Sequence, residues 1–301
     1  MAYGISETKI KEYALQIDEC ERNFAKRFSA IAEDICNNRG LRIVRLYGPT
    51  CSGKTTASRL LTDMFSKLGR RAHTVSIDDF FYEREFLLNM SREKGLDFVD
   101  YDSPDTIDTA ALHIFAEEIF ACKELHCPTY DFMTGKISGY RTLSVGENDI
   151  FIFEGIQACY PNVKDMLSDH GSASIFIAPL SSVSAGGEEF APNRLRLMRR
   201  LVRDYHFRGA SAEFTFKLWQ GVRENERKNI FPYAEESDYK VDSAMAYEVG
   251  VLKPFLCEIL SSFDPKNEFA AKAEEILQSV KNVETIPGEL ITDNYLYSEF
   301  V

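Results

Sequence analysis

The stretch Gly48-Pro49-Thr50-Cys51-Ser52-Gly53-Lys54-Thr55 (GPTCSGKT) follows the largely apolar run Ile43-Val44-Arg45-Leu46-Tyr47 and opens a helical pattern from Lys54 to Leu68 that Gly69 closes. The spacing GxxxxGK[ST] between a strand and a helix is the phosphate-binding loop pattern. Its glycines let successive backbone N–H groups turn inward around an anion, and the helix N-terminus adds partial positive charge. Lys54 is then placed to reach the β- and γ-phosphates of a nucleoside triphosphate, and the Thr55 hydroxyl to bind Mg²⁺.

Outward from the loop, short β-rich runs at 41–47, 72–77, 149–153 and 172–178 alternate with helical stretches. Strands without polar alternation, separated by helices, predict an α/β fold with a parallel sheet flanked by helices on both faces. Upstream, Ile10, Tyr13, Ile17, Cys20, Phe24, Phe28, Ile31 and Ile35 recur every three or four residues, which marks one helical face and makes residues 1–40 a helical N-terminal extension. The main domain is expected over 41–265. A C-terminal helix near 267–282 and a tail with Pro287-Gly288 occupy 266–301. The small-residue segment SSVSAGGEEFAPN (181–193) reads as a linker into a basic helix, Arg194 to Arg208.

Composition narrows the class. Of 301 residues, 45% are hydrophobic and 27% charged, as in an ordinary globular protein. A net charge of -12 opposes broad binding to nucleic acid phosphates, so any anion must be captured locally. Seven scattered cysteines without a CxxC pair fit a reducing compartment. Without an apolar run of about 18 residues or a signal peptide, no membrane association is expected and a cytoplasmic location is.

The phosphate loop alone does not separate a kinase from a GTPase or a motor, but NKxD-type base-reading signatures are missing. The second strand runs into SIDDFFYERE, which puts Asp78 and Asp79 at its carboxyl end, where open parallel sheets bind ligands. A carboxylate there can accept a hydroxyl proton or hold a metal. The strand DIFIFEG brings Glu154 to the same edge, suited to hydrated Mg²⁺. In the basic helix, Arg194, Arg196, Arg199, Arg200, Arg203 and Arg208 crowd together. Like charges at i,i+4 repel, so anions are expected opposite, and the reading is an arginine lid over ATP phosphates.

With these four elements in order, the chain resembles the uridine kinase and phosphoribulokinase family of P-loop kinases. The stretches GPTCSGKTT, SIDDFFYER, DYDSPDTID, PTYDFMTGK, FIFEGI and RLMRRLVRDYHFRG carry the likeness. YDFMTGK and KNIFPYAEESDYKVDSAMAYEVGVLKPF look closest to bacterial uridine kinase-like domains usually fused to a TGS region, a region not expected in the 40 residues before the first strand. The resemblance implies a P-loop NTPase-type fold with an Arg-rich helical lid, and ATP and Mg²⁺ as cofactors.

By the same likeness Asp78 is the general base for a sugar 5′-hydroxyl, with Lys54, Arg200 and Arg203 as catalytic partners. Gly48, Pro49, Thr50, Cys51, Ser52, Gly53, Lys54, Thr55, Thr56 and Arg199 would hold the nucleotide. Asp102, Tyr101, Tyr130 and Arg208 would hold the acceptor, and Thr55, Glu154 and Asp79 the metal. The usual pyrimidine-reading positions are instead Gly135, Ala210 and Leu218, with Lys136, Tyr140, Trp219 and Arg223 available for other contacts. The expectation is an ATP-dependent kinase acting on the ribose 5′-hydroxyl of a nucleoside. The alternatives are a kinase of another polyol or sugar phosphate, and a non-catalytic ATP-binding regulatory module. Relatives are often dimers or tetramers, which leaves a homo-oligomer open.

Overall fold

The computed structural model describes residues 5–93, 95, 99, 101–168, 171–293 and 295–301, so that Asp100, with which DYDSPD begins, lies outside them. Helix α1 (Glu7–Asn37) is unbroken and buries Tyr13, Ile17, Phe24, Phe28, Ile31 and Ile35, as the spacing predicts. The Ser6 side chain caps it by accepting the Lys9 N–H. Glu21, rather than its neighbour Cys20, lies on the buried seam. Phe28 is fully enclosed, and its replacement by Ala would cost roughly 3–5 kcal/mol.

Strand β1 (Ile43–Tyr47) feeds the phosphate loop, which passes into α2 (Lys54–Lys67). Strand β2 (Ala72–Ser76) ends in a 3-10 turn, Ile77–Phe80, before α3 (Arg84–Glu93). Helix α4 (Thr109–Ala121), capped by the Asp108 carboxylate, leads into an antiparallel hairpin of β3 (Glu124–Asp131) and β4 (Lys136–Ser144). Then follow β5 (Ile150–Glu154), α5 (Pro161–Ser168) and β6 (Ser172–Ala178).

The segment read as a linker is a second hairpin, β7 (Val183–Ala185) and β8 (Glu188–Phe190). Gly186 and Gly187 both take positive φ, the geometry a two-residue hairpin turn demands. The chain continues through α6 (Pro192–Arg208), α7 (Ala212–Asn229), the short α8 (Phe231–Ala234), β9 (Tyr239–Asp242), α9 (Glu248–Ser261) and α10 (Ala270–Val280).

Five strands pair in the order β2-β5-β1-β6-β9, all parallel. Period-two alternation divides their side chains between two cores. Val44, Leu46, Ile150, Ile152, Ile175 and Ile177 face a core shared with α1, α6, α9, α10 and residues Leu296, Tyr297 and Phe300. Ile43, Tyr47, Phe151, Phe153 and Phe176 face the other core, with α4, α5 and the β3–β4 hairpin. Because β1 lies between β5 and β6, the chain departs to opposite sides of it, and the crevice at its carboxyl end is the topological switch point where open α/β sheets bind ligands. Among the described residues no helix is long and apolar enough to cross a membrane.

Candidate active site

The phosphate loop needs its first glycine for a steric reason. A Cβ on Gly48 would stand 1.9 Å from the Ile177 carbonyl oxygen of the neighbouring strand. Gly53 takes φ +91 and caps α2, while Cys51 holds φ +57, an uncommon conformation for a residue with a side chain. With Pro49 and Ser52, Cys51 is buried, whereas Thr55 is exposed. Lys54 Nζ donates to the Gly48 and Pro49 carbonyls, each at 3.1 Å.

Two arginines of α6 fasten the loop from beneath. Arg196 donates to the Thr50 carbonyl at 3.2 Å and is paired with Glu226 of α7 at 2.7 Å. Arg199 donates to the Cys51 carbonyl at 3.2 Å and is paired with Glu248 of α9 at 2.9 Å. Both pairs are almost wholly enclosed. With two of the loop's carbonyls turned outward to accept from these arginines, its amides are left free to turn inward, so the ion pairs preorganise an anion cradle. Arg199 therefore departs from the expected lid: with its guanidinium inaccessible and bound to Glu248, Ser243 and Tyr297, it braces the loop and cannot close over a ligand.

Arg194 pairs with Glu275 of α10, and the other three lid candidates converge on Asp204, which the sequence reading did not single out. Arg200 Nε lies 3.0 Å and Arg203 Nη2 2.7 Å from its carboxylate, and Arg208, exposed at the helix end, 3.7 Å away. A single anion holds three cations together and leaves net positive charge toward the crevice. Desolvation at its inner side, and then neighbouring Arg203, push the Arg208 guanidinium down, and Asp78 lies within its electrostatic reach.

Asp78 and Asp79 sit in the 3-10 turn after β2, and Glu154 ends β5, in register with Ser76 of β2 and Leu46 of β1. Burial, then repulsion from Glu154, raises the Asp78 carboxyl to about 7, against the pull of Lys54. Burial also raises Glu154 and Asp79. Asp79 is additionally occupied: its carboxylate accepts the Tyr130 N–H at 3.1 Å and lies 3.8 Å from Arg141, so it fixes the β3–β4 hairpin over the turn. Among the described residues no three carboxylate, thiol or imidazole groups converge on one point, so a Mg²⁺ ion here would be held by one or two of these acids together with phosphate oxygens and water. Among the described residues the buried Ser52 hydroxyl has no partner, which leaves it available to a phosphate oxygen.

Beside the acids, Phe81, Tyr101, Tyr130 and Phe132 form a closed aromatic cluster with centroids 5.2–5.9 Å apart. Asp102 follows Tyr101, and its carbonyl accepts from the Tyr160 hydroxyl at 2.7 Å. Arg84 crosses the tip of the hairpin, donating to the Tyr101 hydroxyl at 3.2 Å and to the Phe132 and Met133 carbonyls. Gly135 takes φ +72, and a Cβ there would be 2.5 Å from Arg84 Cβ. The absent side chain at 135 is thus the space through which Arg84 runs. Lys136 and Tyr140 lie exposed on β4. Trp219 and Arg223 do not face the acceptor: Trp219 packs under Arg196, and Arg223 pairs with Glu226.

Comparison with known proteins agrees with this geometry. The model of the "Phosphoribulokinase / Uridine kinase family" matches residues 43–249. A uridine kinase of Mycoplasma genitalium is 27% identical over 180 residues, 60% of this chain and 74% of that protein. One from Ureaplasma urealyticum serovar 10 is 25% identical over 181 residues, 60% of this chain and 77% of its own. Among solved structures, a protein of Silicibacter sp. TM1040 named as a fructose transport system kinase superposes with a TM-score of 0.52 at 19% identity, covering 71% of this chain and 98% of its own. That likeness is one of fold.

Proposed function

Because the chain belongs to the phosphoribulokinase and uridine kinase family, we propose that it transfers the γ-phosphoryl group of ATP to the 5′-hydroxyl of a nucleoside. The observation that carries the reading is Asp78: a carboxyl raised to about 7 at the strand edge that also holds Lys54 and Glu154, with the aromatic cluster beside it. A base of that pKa is half ionised near neutrality, which suits removal of a hydroxyl proton during transfer.

In this reading the backbone N–H groups of Thr50 to Thr56 bind the triphosphate, and Lys54, Arg200, Arg203 and Arg208 offset charge that develops on the transferring group. Thr55, Glu154 and Asp79 are the residues that would hold Mg²⁺, which when bound neutralises phosphate oxygens. Asp102 orients the ribose hydroxyls and Tyr101 and Tyr130 flank the base. Phosphoryl transfer needs little beyond such positioning and charge.

One observation favours a second reading. Arg84 brings a guanidinium to the acceptor side, where an anionic group would pair with it, so a sugar phosphate or other anionic polyol is the rival acceptor. ADP release from Mg²⁺-ATP with a panel of nucleosides and sugar phosphates decides between them. Turnover on a nucleoside, lost in Asp78→Asn, supports the first reading. Turnover confined to sugar phosphates and lost in Arg84→Ala supports the second, and ATP binding without transfer to any acceptor refutes both.

A further inference from the structure

Thr56 offers two donors at the first turn of α2, its backbone N–H and its hydroxyl. Amides at this end of a phosphate-loop helix are those that cradle the α- and β-phosphates. Here both donors are taken by the chain's own Glu299, whose Oε2 accepts the N–H at 3.2 Å and the hydroxyl at 3.0 Å.

The segment that delivers Glu299 is built into the fold. Its 3-10 turn, Leu296–Glu299, lays Leu296 on the second loop glycine, so closely that a Cβ on Gly53 would be 2.2 Å from Leu296 Cδ1. The Tyr297 hydroxyl accepts from Arg199 at 2.7 Å and donates to Glu248, the same pair that fastens the Cys51 carbonyl. Glu21 of α1 accepts the Leu296 N–H at 3.1 Å, and Phe300 is fully buried. Burial raises the Glu299 carboxyl; of the charged groups facing it, Lys54 and Arg199 pull it back toward its ionised form, Arg203 lies in its field, and Glu154 shares the Lys54 field.

A carboxylate and a phosphate cannot share two donors, and their charges repel. We propose that Tyr295–Phe300 is an internal competitor for the phosphate site: Glu299 stands where a phosphate oxygen of ATP would bind, and nucleotide entry requires it to leave Thr56. This rests on the ATP-dependent reading above. The apparent ATP affinity is then reduced by the fraction of molecules in which Glu299 is docked.

The test is calorimetric titration of the full chain with Mg²⁺-ATP, for the wild type and for Glu299→Ala, which keeps Leu296, Tyr297 and Phe300. It is paired with backbone hydrogen exchange of residues 295–301 in the wild type, with and without ATP, which needs no variant to fold. The expected results are about tenfold tighter ATP binding by the variant and faster exchange of the segment when ATP is bound. Measurable binding that is equal or weaker in the variant, or slower exchange of the segment with ATP, overturns the competitor while leaving the kinase reading intact. No binding by either protein, both folded by circular dichroism, overturns the kinase reading and the competitor with it.

Discussion

Replacing Asp78 by Asn should slow phosphoryl transfer and at the same time stabilise the protein, by an amount that depends on pH in a defined direction. The carboxyl rises from an ordinary 3.8 to about 7 on folding, chiefly through burial and then through Glu154. At about 1.36 kcal/mol per unit, holding the ionised form in the ligand-free fold costs roughly 4 kcal/mol above pH 7. That is an upper figure, since Asp78 keeps partial contact with solvent at the crevice. The sign follows from the raised value: the folded state binds the proton more tightly than the unfolded chain. The favourable contribution is therefore complete below about pH 4 and is lost as pH climbs through 7. Asn carries no such dependence. Urea unfolding of both proteins without nucleotide should give nearly equal stabilities at pH 4, with the advantage of Asp78→Asn growing by roughly 2–3 kcal/mol between pH 5 and pH 8. A variant less stable than the wild type at pH 8, or an advantage that does not change with pH, would refute the assignment of Asp78 as a strained, buried base. Turnover should fall by about 10²–10⁴ in the same variant.

Three further substitutions test the loop and its supports. Glu248→Ala leaves the enclosed Arg199 without its partner and should destabilise the fold by about 3–5 kcal/mol in urea unfolding. Gly48→Ala forces a Cβ against the Ile177 carbonyl, so ATP binding measured by calorimetry should be lost even where circular dichroism shows folded protein. Asp204→Asn frees Arg200, Arg203 and Arg208 from their common anchor. On the proposed reading these arginines act on the transferring group, so kcat should fall more than ATP affinity, and equal losses in both would place Asp204 in ground-state binding instead.

The loop, four strands of the parallel sheet and the acids at its edge were legible because each is signalled locally: glycine spacing, short β-rich runs, and a carboxylate directly after a strand. What the sequence hid was pairing across distance. Arg196 and Arg199 read as part of a mobile lid because their partners lie elsewhere in the chain: Glu226 on α7 and Glu248 on α9 meet them only after folding, whereas Asp204, within the same helix, holds Arg200, Arg203 and Arg208. The hairpin at Val183–Phe190 did carry a local signal, the pair Gly186-Gly187 flanked by Val183 and Phe190, which the small-residue composition masked.

The tail was illegible for a related reason with a larger consequence. Nothing near Pro287-Gly288 marks Leu296 as the residue that will cover Gly53, yet that contact joins two ends of the chain to the phosphate cradle: Glu21 from α1 and Glu299 from the tail. Arg199 is the shared element. It holds the Cys51 carbonyl, pairs with Glu248 and meets the Tyr297 hydroxyl, so the loop's shape and the tail's seat depend on one guanidinium. A cradle braced in this way stays formed without a ligand, and its amides need an anion in the meantime. Glu299 meets that need at Thr56, and the cradle's readiness for phosphate and its occupation by the tail are two results of the same packing.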